Sequence, residues 1–236
     1  MPAIDSREAL IDILQRAKGE ARNVELRGAD LRGLDLSGLK FEFVSLPMAR
    51  FDEANLSLTE FKHVDLTNAS FQGASLDRAL FWFVGAGAVN FEGLHAVDAR
   101  WDRSSLLGSN FSSATLHRSR LINCGLEQVS FDAADLTLGS LAWSSLDGAT
   151  FRNTNLDQVE TLGVSLTDTD LQSARNFAYC REMVIEILRR HADQELETIL
   201  GELSFSGRRG SDHARQAADR CTDPPSRRQI YPRQCR

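Results

Sequence analysis

From Leu26 to Leu171 a large apolar residue returns at every fifth position, thirty times in one register. The column opens Leu26, Leu31, Leu36, Phe41, Leu46, Phe51, and 27 of its 30 members are Leu, Phe or Trp, the exceptions being Ala86, Ala96 and Thr161. An α-helix repeats near 3.6 residues and a flat strand at 2, so neither brings every fifth side chain to one buried face. A fixed period sustained over this length signals a repeat architecture, in which each unit buries its apolar side only against its neighbours.

A second column constrains the geometry. Two residues before each large residue the side chain is mostly small, as at Ala49, Ala54, Ala69, Ala74 and Ala79, with Ser, Thr, Cys or Val at most other copies. The three remaining positions are mainly Asp, Asn, Ser, Thr, Arg, Glu or Gly, as outward positions require. The motif, seen in Ala29-Asp30-Leu31, Ala54-Asn55-Leu56 and Ala134-Asp135-Leu136, resembles the pentapeptide repeat family over about two-thirds of the chain. The resemblance implies an all-β solenoid: a right-handed, four-sided β-helix with one pentapeptide per side and twenty residues per coil.

Positions twenty apart test that implication. Phe51, Phe71, Phe91, Phe111, Phe131 and Phe151 form one column, the expected core ladder. Leu26, Leu46, Leu66, Ala86 and Leu106 begin a second, and Phe41, Phe61, Phe81 and Trp101 begin another. Thirty repeats make about 7.5 coils, a stack roughly 36 Å long at the ~4.8 Å strand spacing. Ala86 and Ala96 fall on opposite sides of one coil, where Trp101, with Trp82 or Phe83, is expected to supply the missing volume.

Both ends depart from the period. Residues 1–23 are expected to form an N-terminal capping helix, with Leu10, Ile13, Leu14 and Ala17 on one stripe and Asp5 and Glu8 at capping-box spacing. Residues 24–175 form the β-helix. Residues 176–203 carry two helical patterns, around Met183, Val184, Ile187, Leu188 and around Leu196, Ile199, Leu200, Leu203, expected to cap the last coil or to pair two copies as a homodimer. Residues 204–236 are rich in Arg and poor in apolar residues and are expected to be a disordered basic tail.

Catalytic chemistry finds little support. His63, His95 and His117 fall in different outward columns without metal-ligand spacing, and Cys124, Cys180, Cys221 and Cys235 form no C-x-x-C pair. Asp168 and Asp170 fit turn chemistry, and Gly85-Ala86-Gly87 lacks the third glycine of a dinucleotide fingerprint. A non-enzymatic chain with no cofactor and no metal is expected. With neither a basic-then-apolar leader nor an 18-residue apolar run, a cytoplasmic location and no membrane partner are expected.

Two surface features point to function. Residues 24–175 hold twenty Asp/Glu against twelve Lys/Arg, a net of −8. Some pentapeptide repeat proteins resemble B-DNA in size and charge and bind type II topoisomerases such as DNA gyrase, the quinolone-resistance members among them. The resemblance therefore implies a possible DNA mimic that modulates gyrase. A 36 Å duplex would carry about twenty phosphates, more than twice this charge. The second feature is an outward stripe of Phe43, Leu80, Trp82, Phe83, Ile122 and Trp143. An exposed aromatic patch of this kind marks a protein interface, unless a terminal helix covers it. The preferred expectation is a protein-interaction scaffold of unknown partner that binds no nucleic acid directly; a gyrase-binding DNA mimic is the alternative.

Overall fold

Each coil of this chain closes through its corners. In a computed structural model, which describes residues 19–176 together with Cys180 and Ile185, the residue two places after each large apolar residue adopts a left-handed backbone. Glu53 (φ 60°), Leu58 (φ 63°) and Asn68 (φ 58°) do so, as do Gly33 and Gly73. The turn is closed by an N–H one residue later: that of Ala54 donates to the Phe51 carbonyl at 3.0 Å. Asp or Asn directly before the large residue supports the next turn. Its side-chain oxygen accepts from the backbone N–H two residues on, as Asn55 does from Ser57 (3.1 Å), Asp65 from Thr67 (2.9 Å) and Asp170 from Gln172 (2.8 Å). This Asx geometry is why the position favours those two residue types.

Between the turns run short strands: β1 (Glu20–Arg22), β2 (Lys40–Glu42), β3 (Glu60–Lys62), β4 (Leu80–Trp82), β5 (Arg100–Asp102) and β6 (Arg120–Ile122). They form one six-stranded parallel sheet in sequence order, each strand paired twenty residues on. Three further ladders of isolated bridges hold the same offset, through Glu25–Ser45–Asp65, Asp30–Arg50–Ser70 and Asp35–Asn55–Ser75. Successive turns donate both ways: Leu56 N–H to Ser75 O at 2.7 Å and Ser75 N–H to Ala54 O at 2.9 Å. The architecture is an all-β parallel solenoid in which the six strands mark five turns. Among the described residues no helix is long and apolar enough to cross a membrane.

All members of the five-residue column, from Leu26 to Leu171, are buried, and the register begins one repeat earlier at buried Ala21. The Phe column stacks face to face, with centroid distances of 4.6 Å (Phe51–Phe71), 5.1 Å (Phe71–Phe91), 4.4 Å (Phe91–Phe111), 5.4 Å (Phe111–Phe131) and 5.1 Å (Phe131–Phe151). Beside it Phe41, Phe61, Phe81 and Trp101 stack at 4.7–5.0 Å. The two columns meet edge to face, at 6.4 Å for Phe61–Phe71 and 6.1 Å for Trp101–Phe111. Such pairs place the positive ring edge on the negative ring face.

The coil of Ala86 and Ala96 is filled differently from the sequence expectation. Trp101 is buried, but Trp82 and Phe83 stand in solvent and supply no core volume. Instead Leu94, at the inward position that mostly holds a small residue, is fully buried two places before Ala96, so large and small have exchanged places there. On the other side Ser109 ties two coils together: its hydroxyl donates to Ala86 O at 2.6 Å and accepts from Val89 N–H at 3.1 Å. The N-terminal capping helix expected over residues 1–23 is corrected at its end, where Glu20–Arg22 form β1 and Ala21 lies in the core; its residues 1–18, like the basic tail over 204–236, lie outside the described residues. So do the expected C-terminal helices, apart from Asn176, Ile185 and buried Cys180.

Candidate interaction face

Outward side chains of the sheet alternate with the buried ones, two per strand. On β1–β3 they carry opposite charges set against each other. Arg22 meets Glu42 at 2.7 Å, Lys62 meets Glu42 at 3.3 Å, and Lys40 meets Glu60 at 3.1 Å. At β4 the pattern breaks. Leu80 and Trp82 replace the charges, and Trp82 is 53% exposed. On β5 and β6 the outward pairs become Arg100 with Asp102 and Arg120 with Ile122.

The adjoining corner column is aromatic. Phe43, His63 and Phe83 stack with centroids 4.9 and 5.1 Å apart and planes within 7° of parallel. The Arg103 guanidinium continues the ladder 5.5 Å from the Phe83 centroid. Farther along stands Trp143, 59% exposed. Its indole lies over Gly163, where an added Cβ would come within 2.3 Å of the ring, so a side chain at Gly163 would displace Trp143. Phe43 (φ 56°), Phe83 (φ 53°) and Trp143 (φ 60°) occupy the left-handed region. Gly or Asn adopts that conformation at less cost, so these rings are held against a local preference.

The structure thus places Phe43, Leu80, Trp82, Phe83 and Trp143 outward and exposed, with Ile122 half-buried and exposed Leu162 nearby. It draws Leu80, Trp82 and Phe83 onto one coil and keeps Trp143 three coils away. His63 and Arg103 belong to the same ladder and were missed in the sequence. The signal was there: Phe43, His63, Phe83 and Arg103 are spaced by twenty.

Elsewhere the polar groups are engaged separately. His95 Nδ1 lies 2.9 Å from Asp77 Oδ1, and Asp170 meets Arg152 Nε at 2.8 Å. Asp30 is gripped by Arg32, which holds its carboxyl well below the usual carboxylate range; Arg118 lowers Asp98 in the same way. Gly85 sits in a bridge ladder between Asp65 and Ser105, and Ala86 in the core. Among the described residues no group of three or more His, Cys, Asp or Glu is placed to hold a metal ion.

Cys124 is a buried thiol, raised from 9.0 to about 12 first by its burial and also by the charge of Asp102. It is expected to resist thiol reagents at pH 8 except through unfolding. In a Cys180→Ala, Cys221→Ser, Cys235→Ser variant, labelling should follow the unfolding equilibrium; native labelling at a free-thiol rate would contradict this. The sign of the pH effect is set by the unfolded chain, which releases this proton first. Its contribution to stability is therefore intact below pH 9 and is lost as pH rises from 9 toward 12.

The family model described as pentapeptide repeats matches residues 48–82 and 144–175, with 8 copies. Solved structures similar to this chain include a trypsin-treated form of QnrB1, a plasmid-mediated fluoroquinolone resistance protein. It is 19% identical, with a TM-score of 0.40, and the match covers 75% of this chain and 91% of that one. HetL, a pentapeptide repeat protein involved in heterocyst differentiation regulation from the cyanobacterium Nostoc sp. strain PCC 7120, is 18% identical with a TM-score of 0.29. That match covers 72% of this chain and 96% of HetL. A pentapeptide repeat protein from the Arabidopsis thaliana thylakoid lumen is 22% identical with a TM-score of 0.29, covering 56% of this chain and 68% of the other. No match was found among curated proteins.

Proposed function

Since this chain belongs to the pentapeptide repeat family, we propose that it is a non-catalytic, cytoplasmic protein-interaction scaffold that docks partners through its outward aromatic face. In this reading the solenoid that begins at β1 is a right-handed, four-sided β-helix of about 7.5 coils over residues 24–175, capped by the residues before β1 and by residues 176–203, the latter also available for pairing two copies. The observation that carries the reading is the exposed stack Phe43–His63–Phe83–Arg103 beside Leu80 and Trp82. Aromatic and arginine side chains in one patch are the usual anchors of a protein interface. Keeping bulky rings at left-handed corners carries a local cost that the solenoid itself does not require.

The net charge of −8 over residues 24–175 favours a second reading, a DNA-mimicking modulator of gyrase. Against it, Asp30, Glu42, Glu60, Asp98 and Asp170 are each neutralised by a basic neighbour, so the negative surface is interrupted.

Affinity for a partner isolated from the host, measured at low and high salt for wild type and for the Phe83→Ala, Trp143→Ala double variant, separates the two. The scaffold reading expects a loss of about 100-fold or more in the variant. It expects less than about ten-fold weakening by salt, since rim charges contribute little. Steep salt dependence with an unaffected double variant, together with inhibition of gyrase supercoiling, would establish the DNA mimic instead.

A further inference from the structure

We propose that the partner docked on the aromatic face is an acidic amphipathic helix of another protein, with a large apolar anchor and a carboxylate one and two helical turns beyond it. The inference rests on reading that face as a docking surface and names the chemistry of what docks. Three rows of outward side chains run across the coils here. The first passes from Leu80 to Arg100 to Arg120, strand to strand in register, and the second from Trp82 to Asp102 to Ile122. The third is the corner column, in which the Arg103 guanidinium lies over Phe83. Leu80, Trp82 and Phe83 therefore stand exposed on one coil, and exposed arginines follow on the next two. Arg100 and Arg120 sit directly opposite each other, and like charges so placed destabilise a sheet. Neither has an ion pair among the described residues, although Lys40 with Glu60 and Lys62 with Glu42 show how readily this sheet builds one. Asp102, between the arginines, already accepts from Asn123 Nδ2 at 3.2 Å. The patch thus holds an excess of positive charge on a solenoid whose net charge over residues 24–175 is −8.

Charge complementarity selects the sign of the occupant, and spacing selects its form. Paired strands of successive coils repeat at ~4.8 Å. A helix laid across the coils brings one residue to a given row at each turn, about every 5.4 Å. An extended segment returns a side chain to the same face only about every 6.8 Å. Over the two steps from Leu80 to Arg120 the helix drifts by about 1.2 Å, and the extended segment by about 4 Å. An apolar residue seated on Leu80 and Trp82 then sets Asp or Glu at i+4 and i+7 opposite Arg100 and Arg120. The apolar contact supplies affinity, while the charges fix register and direction. A protein helix fits better than a nucleic acid. A polyanion would meet the repulsion of the whole acidic solenoid, whereas two carboxylates answer the local arginines alone.

The test uses the full chain and a phage-displayed library of helical peptides, about four turns long and randomised along one face. Peptides are selected on the wild type and counter-selected on the Leu80→Ser, Trp82→Ser variant. The expected winners carry Trp, Phe or Leu with Asp or Glu one and two turns away on the same side. A winner made synthetically and labelled with fluorescein should lose about 100-fold in affinity for Arg100→Glu, Arg120→Glu, checked for retained far-ultraviolet dichroism, because two attractions become repulsions. Exchanging the two carboxylates of the peptide for lysines should restore binding to that variant to within about ten-fold of the original pair. Neutral or basic winners, acids spaced as in an extended strand, no winner at all, a loss that lysines do not repair, or tighter binding of an oligothymidylate of similar length would each overturn the proposal. So would photo-cross-links, in the purified protein alone, from benzoylphenylalanine in place of Trp82 to residues 1–18 or 177–236 of the same or a second copy, since the protein would then fill its own face. Failure here is distinct from failure of the scaffold reading, which falls only if Phe83→Ala, Trp143→Ala spares partner binding.

Discussion

Replacing Phe111 with alanine will destabilise the chain by about 3–5 kcal/mol, measured by urea denaturation. The ring is fully buried and stacked between Phe91 at 4.4 Å and Phe131 at 5.4 Å, with Trp101 meeting it edge-on at 6.1 Å. Truncation removes the transfer free energy of the ring and leaves a void that neighbouring coils cannot close, because inter-coil hydrogen bonds fix their spacing. Phe111 N–H donates to Ser130 O at 2.7 Å, and Asn110 N–H to Val89 O at 2.9 Å. In a solenoid the loss also acts on coupling between coils, so the transition should broaden as the two halves become less cooperative. Outward Asp132 gives the contrast. Its carboxylate accepts from the Arg152 N–H at 2.9 Å on the exposed surface, so Asp132→Ala should cost about 1 kcal/mol. Equal losses at the two sites would contradict the inward and outward assignment of the whole repeat.

Trp101 should show a split response: Trp101→Ala costs about 3–5 kcal/mol, while Trp101→Phe stays within about 1 kcal/mol of wild type. The indole is buried and stacked on Phe81 at 4.9 Å, yet its Nε1–H has no hydrogen-bond partner among the described residues. An unsatisfied buried donor costs about 1–3 kcal/mol. Phenylalanine gives up part of the apolar contact but removes that donor, and the site already continues a column of Phe41, Phe61 and Phe81. The two terms oppose each other and nearly cancel, whereas alanine loses the contact without replacement. Equal destabilisation by both substitutions in parallel denaturation curves would show that the indole N–H is partnered in solution.

The fold was legible because a single number, five, governs both burial and turn formation. The large inward residue, the mostly small inward residue and the Asp or Asn that supports many of the turns can be read from residue type, whereas the left-handed corner, held by residues as unlike as Glu53, Leu58 and Phe83, follows from position in the repeat. What escaped the sequence reading escaped for local reasons. Ala21 begins the register but is too small to mark it. Around Ala96 volume was judged from the large column only, so the compensating Leu94 went unnoticed, and Trp82 and Phe83 were assigned a packing role that their outward corner and strand positions preclude. Stripe residues Phe43, Leu80, Trp82, Phe83 and Trp143 could be placed outward because periodicity decides direction. Ring planes and cation placement depend on three-dimensional spacing. His63 was weighed as a metal ligand or base and not as the middle ring of a stack. The opposition of Arg100 and Arg120 follows from the same offset of twenty, but matters only when ion pairs are seen elsewhere on the sheet and missing there.

That offset also makes the molecule a ruler with discrete marks. Inserting or losing one residue shifts every later side chain out of its column, whereas duplicating or removing twenty returns each to an equivalent place. Phe83 and Trp143 are three such steps apart, about 14 Å at the ~4.8 Å spacing of paired strands. A lineage of such chains can therefore retune the separation between anchoring side chains one strand spacing at a time, by gain or loss of a whole coil, while every intervening hydrogen-bond ladder keeps its form.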